Sequence, residues 1–269
     1  MMKKLLALTL GTILAFSLTG CVNEEIAAIM EKNAAAESQY SMVEYAHKHH
    51  TYVYKETETH IMTFEQEEHQ TINKLIGSSD RISRGVLTTN AGTSIEETLK
   101  FSYYQRGNYG YYDLENGKRY RQRAHQANVN DLLGDFLMGL TEDDFQFIRI
   151  TDLENGGKRL RFRLDPKAIP DETANDFIMS EISFLPEDLG ITGAELRGFE
   201  FILTLDKDYL TKKQEYKADI LLHCEDGNTA HWTYEDSFAF TNYSYRENDH
   251  LVFPKDLAEY PDIKDVVWD

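Results

Sequence analysis

The sequence predicts an α+β fold: one long, curved antiparallel sheet, a half-open barrel, with a few helices covering its concave face. Three observations predict it. Apolar residues recur at every second position over several long stretches. Asn-Gly or Asp-Gly pairs separate many of those stretches, as tight hairpins require. No strand–helix–strand spacing occurs that would build a parallel sheet.

The chain opens on an address. The first twenty residues carry Lys3 and Lys4 and no acidic group, and an apolar run from Leu5 to Leu18 is too short to span a bilayer. Residues 1–20 therefore read as a signal peptide. The run ends in Leu18-Thr19-Gly20-Cys21, which resembles a bacterial lipobox. That resemblance implies cleavage before Cys21 and a diacylglycerol on its sulfur. Acyl chains of the palmitate class would then anchor the protein to the extracytoplasmic face of the cell membrane, since each buried methylene contributes about 0.8 kcal/mol. Residues 21–38, polar and alanine-rich, read as a lipidated tether, and residues 39–269 as the half-barrel domain. With Cys21 modified, Cys224 has no partner in the chain, so the fold stands without a disulfide.

Tyr40, Val43 and His47 share one face of a predicted first helix. From about Tyr52 the period becomes two. Ile95 to Tyr103, Leu160 to Leu164, Phe199 to Leu205, Tyr216 to Cys224 and Trp232 to Phe240 each alternate apolar with polar residues. Asn116-Gly117, Asn155-Gly156 and Asp226-Gly227 suit type I′ turns between strands. The stretch Asp113-Leu114-Glu115-Asn116-Gly117 recurs as Asp152-Leu153-Glu154-Asn155-Gly156, which marks two similar hairpins. Two short helices are predicted, one carrying Val129 to Leu140 and one carrying Phe177 to Leu185 before Pro186.

Charge and motif exclude several function classes. A net charge of −18 repels phosphate backbones, so no nucleic-acid partner is expected. The Asp-Leu-Glu-Asn-Gly copies carry glycine at the fifth position, and Ala124 and Arg163 stand where a calcium loop has its twelfth-position glutamate. His47, His49 and His50 are a histidine cluster without further converging ligands, so no metal is expected. There is no Gly-x-Ser-x-Gly elbow and no phosphate-binding glycine loop, and Cys224 shares strand parity with Ile220 and Leu222 as a buried thiol. The chain therefore reads as no enzyme, with no cofactor. Lys118, Arg119, Arg121 and Arg123, with Lys158, Arg159, Arg161 and Arg163, form either a solvated outer face or a patch for an anionic partner.

The aromatic and aliphatic stripes also leave two readings. Leu99, Phe101, Phe199, Phe201, Leu203, Trp232, Tyr234, Phe238 and Phe240 either fill a core or line a pocket for a lipid-like ligand. In a lined pocket Phe238→Ala costs little stability; in a filled core it costs several kcal/mol.

Taken with the lipobox, Leu205-Asp206-Lys207-Asp208-Tyr209-Leu210, Phe238 to Tyr243 leading into Val252-Phe253-Pro254-Lys255-Asp256-Leu257, and Tyr111-Tyr112-Asp113 with Lys118 resemble motifs of the LolA-like superfamily. That superfamily covers lipoprotein carriers and LppX-like lipid-carrying lipoproteins, and the resemblance is nearest to its Gram-positive surface-lipoprotein branch. Thr211 stands where that family usually has proline. The resemblance implies a half-barrel whose concave face holds acyl chains, with no catalytic residues. The expected function is a lipid-anchored extracytoplasmic lipoprotein that binds or carries a hydrophobic ligand. The alternative is an interaction or sensor module on the same scaffold, binding a cell-wall polymer or a membrane partner.

Overall fold

A computed structural model describes residues 24–55, 58–73, 81–91, 95–123, 145–168, 190–245 and 251–266. Among the described residues are one α-helix, α1 (Glu24–Glu37), three single 3-10 turns, and eleven strands: β1 (Met42–Lys55), β2 (Glu58–Asn73), β3 (Arg81–Ala91), β4 (Ile95–Arg106), β5 (Tyr109–Leu114), β6 (Arg119–Arg123), β7 (Phe145–Asp152), β8 (Lys158–Leu164), β9 (Ile191–Leu205), β10 (Thr211–Cys224) and β11 (Thr229–Ser244). They form a single sheet in the order β6-β5-β4-β3-β2-β1-β11-β10-β9-β8-β7, antiparallel throughout. Two meanders thus run outward from a central pair, β1 and β11. β6 and β7 remain edges, so the barrel is not closed. A twist of roughly 20° per strand step curls a sheet this wide and gives it a concave inner face.

The sequence-derived strands fall on β4, β8, β9, β10 and β11. The first helix does not fall where the pattern put it. Tyr40, Val43 and His47 do not share a helix; Val43 and His47 lie on β1. The residues on either side explain the error: Val43, Tyr45, Thr51 and Val53 are all buried at odd positions, a period of two that the 40–47 window is too short to reveal. The helix lies earlier, in the stretch read as tether. Ile26, Ile29, Met30, Asn33 and Glu37 form one buried stripe on α1, at the spacing of an amphipathic helix. The segments 129–140 and 177–185, and Leu18 to Cys21, lie outside the described residues.

The tight hairpins share one design. In Leu114–Lys118, Leu153–Gly157 and Cys224–Asn228 a turn bond closes onto glycine, and the glycines 117, 156 and 227 have φ of 81°, 81° and 78°. The preceding Asn or Asp is not left-handed, so each is a three-residue loop with a glycine bulge and not the expected type I′ turn. Asp206–Leu210 repeats the pattern with Tyr209, at φ 63°, in the glycine position. A non-glycine residue there is strained by about 1 kcal/mol or more.

Helix α1 holds that strained turn. Asn33 Nδ2 donates to the Tyr209 carbonyl at 2.8 Å and approaches the Thr211 hydroxyl at 3.2 Å, while Lys32 sits 5.0 Å over the Tyr209 ring. Thr211, in the place where proline is usual in the resembling family, is thereby a buried partner of α1. Asn33→Ala leaves buried acceptors without their donor and is expected to destabilise the fold by about 1–3 kcal/mol, read from urea denaturation midpoints. An unchanged midpoint would return residues 24–37 to the status of a tether.

The main core lies on the inner face of β8 to β11 and β1, under α1. Cys224 belongs to it as a buried thiol in no disulfide. A smaller cluster covers the outer face of β3 to β5, where Leu257 and Tyr260 of the C-terminal segment meet Tyr104. Arg119 fixes that segment through Asp256 at 2.8 Å and also pairs with Asp113 at 2.7 Å. On the other wing Lys158 pairs with Asp152, Arg161 with Glu200 on the adjacent β9, and Arg159 reaches across β9 to Glu215 on β10. Much of the basic stripe is thus balanced by acids across the strands.

Candidate functional site

The register of the central strands assembles a polar cluster within the apolar inner face. β1 pairs with β11 so that His47 lies opposite Phe238, His49 opposite Asp236, and Thr51 opposite Tyr234. Strand alternation turns all six toward the core side. Asp236 is buried among aromatic rings, where an unpaired carboxylate would cost several kcal/mol.

It is not unpaired. His47 Nε2 lies 2.7 Å and His49 Nδ1 3.1 Å from the same oxygen, Oδ1, and the Tyr234 hydroxyl donates to Oδ2. Burial alone would raise the Asp236 carboxyl, but His47 and His49 beside it hold it well below the usual carboxylate range. His49 Nε2 in turn meets the Thr51 hydroxyl at 2.9 Å. The imidazoles are fixed by their rings as well: His47 stacks on Phe238 at 4.4 Å and 5°, and His49 meets Tyr234 edge-on at 4.8 Å.

Aspartate, histidine and a hydroxyl in series resemble a nucleophile relay, but Thr51 is wholly enclosed. The ring nitrogens are turned onto Asp236 and Thr51, and among the described residues no group of His, Cys, Asp or Glu is arranged to hold a metal ion. His50, the third histidine of the sequence cluster, faces away and lies 3.6 Å from Glu65.

Around the cluster the sequence-derived stripe is divided. Phe199, Phe201, Leu203, Trp232, Tyr234 and Phe238 are buried in the main core, with Phe240 packed at its margin. Their rings form a continuous ladder: Phe162 on Phe201 at 5.7 Å, Phe201 on Tyr216 at 4.9 Å, Tyr216 against Phe238 at 6.1 Å and Phe238 against Tyr45 at 5.8 Å. Leu99 and Phe101, on β4, are only half-buried and belong to neither core cluster; Leu114, opposite Phe101 on β5, is likewise half-buried.

The inner face therefore has a filled part on β8 to β11 and β1, which carries the His47–Asp236–His49 cluster, and a half-covered strip on β4 and β5, separated from it by β2 and β3. Sequence reading missed Asp236, Tyr216 and Thr51 as site residues. The available signal was the series Trp232, Tyr234, Asp236, Phe238, in which an acid occupies a buried parity.

No protein-family model matches the chain, and no curated protein does. Among solved structures it is similar to a beta-barrel-like protein of domain of unknown function DUF1849 from Brucella abortus, with 9% identity, 78% of this chain and 99% of that one covered, and a TM-score of 0.25. It is also similar to a DUF1329 family protein from Desulfovibrio piger, with 8% identity, 83% and 94% coverage, and a TM-score of 0.24. Similarity at that level carries nothing about ligand or activity.

Proposed function

We propose that the protein is a lipid-anchored, extracytoplasmic lipoprotein that holds a hydrophobic or lipid-like ligand against the inner face of its half-barrel. The division of that face carries the reading. An apolar strip on β4 and β5, with Leu99, Phe101 and Leu114 half-covered, lies outside the filled core and gives an acyl chain a surface to lie on. The lipobox and the LolA-like resemblance agree with this reading, which assigns no catalytic role to any residue. The ladder of buried rings on the other half is what an interaction or sensor module on the same scaffold would use, and binding experiments separate the two.

The anchor and the ligand are tested separately. Cys21→Ser is expected to leave an unprocessed precursor that incorporates no labelled fatty acid; normal labelling would overturn the lipobox. For the ligand, the purified chain is kept in a fluorinated surfactant, which keeps the anchor soluble without competing for a hydrocarbon site. Trp232 is one of two tryptophans, so a Trp268→Phe background makes it the sole indole. Saturable quenching of Trp232 by a doxyl-labelled sixteen-carbon chain is expected, and Phe101→Asp should weaken it at least about tenfold by setting an unpaired carboxylate against the chain. An absence of saturable quenching would favour the interaction module.

A further inference from the structure

Among the described residues three large apolar or aromatic side chains stand in solvent: Tyr109, Tyr245 and Val252, at 42%, 60% and 87% exposure. Such residues scattered singly need no explanation. These three are not scattered, because the register puts them on one rim of the sheet. Met42 pairs with Ser244 and with Asn73, Ile72 with Arg81, Arg81 with Gln105, and Arg106 with Tyr109. Tyr245 follows Ser244 at that rim, and Tyr109 opens β5 there. Val252 joins them, since the Arg106 guanidinium sits 5.7 Å over the ring of the next residue, Phe253.

Helix α1 runs along the same rim. Its N-terminal turn lies toward the start of β8, where the Glu25 charge acts on Lys158. Asn33 then holds the β9–β10 turn at Tyr209, the Tyr243 hydroxyl donates to Glu37 at 3.4 Å, and the Ser41 amide donates to the Ser244 carbonyl at 3.1 Å. Cys21 stands three residues before Glu24, a reach of at most about 11 Å. An acyl anchor on Cys21 therefore keeps this rim close to the bilayer.

The chemistry of the rim suits that position. A tyrosine has an apolar ring and a hydroxyl that stays in water, which fits the level of lipid head groups. The net charge of −18 repels anionic lipid, but at the turns of this rim Asp152, Asp208 and Asp206 are paired with Lys158, Lys207 and Lys212 at 2.6, 3.9 and 3.5 Å. Five strand steps of about 4.8 Å each separate Tyr245 from Tyr109 along the sheet. Contacts spread this widely fit a flat surface better than one pocket on a protein.

We infer that this rim is the face on which the anchored protein rests on the bilayer, with Tyr109, Tyr245 and Val252 seated among the lipid head groups. The inference rests on the Cys21 anchor proposed above and adds an orientation. The two strands of the apolar strip then meet the membrane end-on, at Arg106 and Tyr109.

The test uses the lipidated protein on phosphatidylcholine vesicles, with an NBD fluorophore attached at Tyr245→Cys, at Val252→Cys or, on the opposite rim, at Glu225→Cys. Cys224 is buried and stays unlabelled in the native fold. Flotation with the vesicles is scored first. Doxyl-labelled phosphatidylcholine is expected to quench the fluorophore at the first two positions at least about threefold more than at the third. Adding Tyr109→Ser and Tyr245→Ser to the Val252→Cys protein should lower its quenching at least about twofold. Flotation, held by the acyl chains, and melting temperature should stay as in the parent, because exposed positions outside the core contribute little stability. Equal quenching at all three positions, or undiminished quenching in the serine variant, would overturn the resting face while leaving the anchor in place. A protein that does not float with the vesicles would overturn both.

Discussion

Asp236→Ala is expected to destabilise the protein by about 3–5 kcal/mol, because it removes the shared acceptor of a buried, hydrogen-bonded polar cluster. Three donors converge on this carboxylate: His47 at 2.7 Å, His49 at 3.1 Å and the Tyr234 hydroxyl. Without it, two imidazoles whose side chains are only 14% and 11% exposed, and one phenol, lose their acceptor inside an aromatic core. Chemical denaturation at neutral pH measures the loss, and a cost below about 1 kcal/mol would mean that water serves those groups as well as Asp236 does. Asp236→Asn keeps the shape and part of the hydrogen bonding, and should fall between the two.

The same residue sets an acid limit. Its pKa in the folded protein is lowered relative to the unfolded chain, where it lies near 4. The stabilisation is therefore fully present above about pH 4 and is lost as pH falls through the lowered folded value. With 46 acidic residues in the chain, total stability in acid has many contributors, so the readout is the difference between parent and Asp236→Asn. That difference should be constant from pH 7 to about 5 and begin to shrink below about 4. A difference that instead disappears between pH 7 and 6 would show that the Asp236 carboxyl does not control it.

Strand pattern was legible where one face is apolar and the other charged. Leu160, Phe162 and Leu164 between Arg159, Arg161 and Arg163 leave one register only, and β8 follows it. The β1 segment was harder because its inner face is not apolar: His47, His49 and Thr51 stand where Val or Leu would have declared a strand. Their burial becomes favourable only when Asp236, 187 residues from His49, arrives on β11. No local window contains that fact. Helix α1 was hidden for a related reason. Its stripe needs only Ile26, Ile29 and Met30 as apolar anchors because Asn33 and Glu37 are buried against Tyr209, Thr211 and Tyr243, contacts that sequence spacing does not show. The aromatic stripe reads in sequence as one surface, yet the fold splits it: β9 to β11 share a core with β8 and β1, whereas β4 lies three strands beyond β1.

That split changes what Phe238→Ala should do. The stripe read as a pocket lining makes this substitution mild, but Phe238 is buried, stacks on His47 and meets Tyr45 and Tyr216 edge-on. Truncating a ring so enclosed leaves a cavity that its neighbours cannot close, and the expected cost is about 3–5 kcal/mol. His47 also loses the ring that holds it against Asp236, so Phe238→Ala and Asp236→Ala should together cost less than the sum of their separate effects. Phe101→Asp should behave in the opposite way, because its side chain is half-covered and outside both core clusters. It should weaken the doxyl chain strongly while lowering the melting temperature by less than Phe238→Ala does. Measured side by side under conditions where both variants remain folded, Phe238→Ala should lose stability and largely keep the probe, and Phe101→Asp the reverse. If instead Phe238→Ala abolishes binding at little cost in stability, the ligand lies on the β11 half of the sheet, and the ladder of rings from Phe162 to Tyr45 is its seat and not the core.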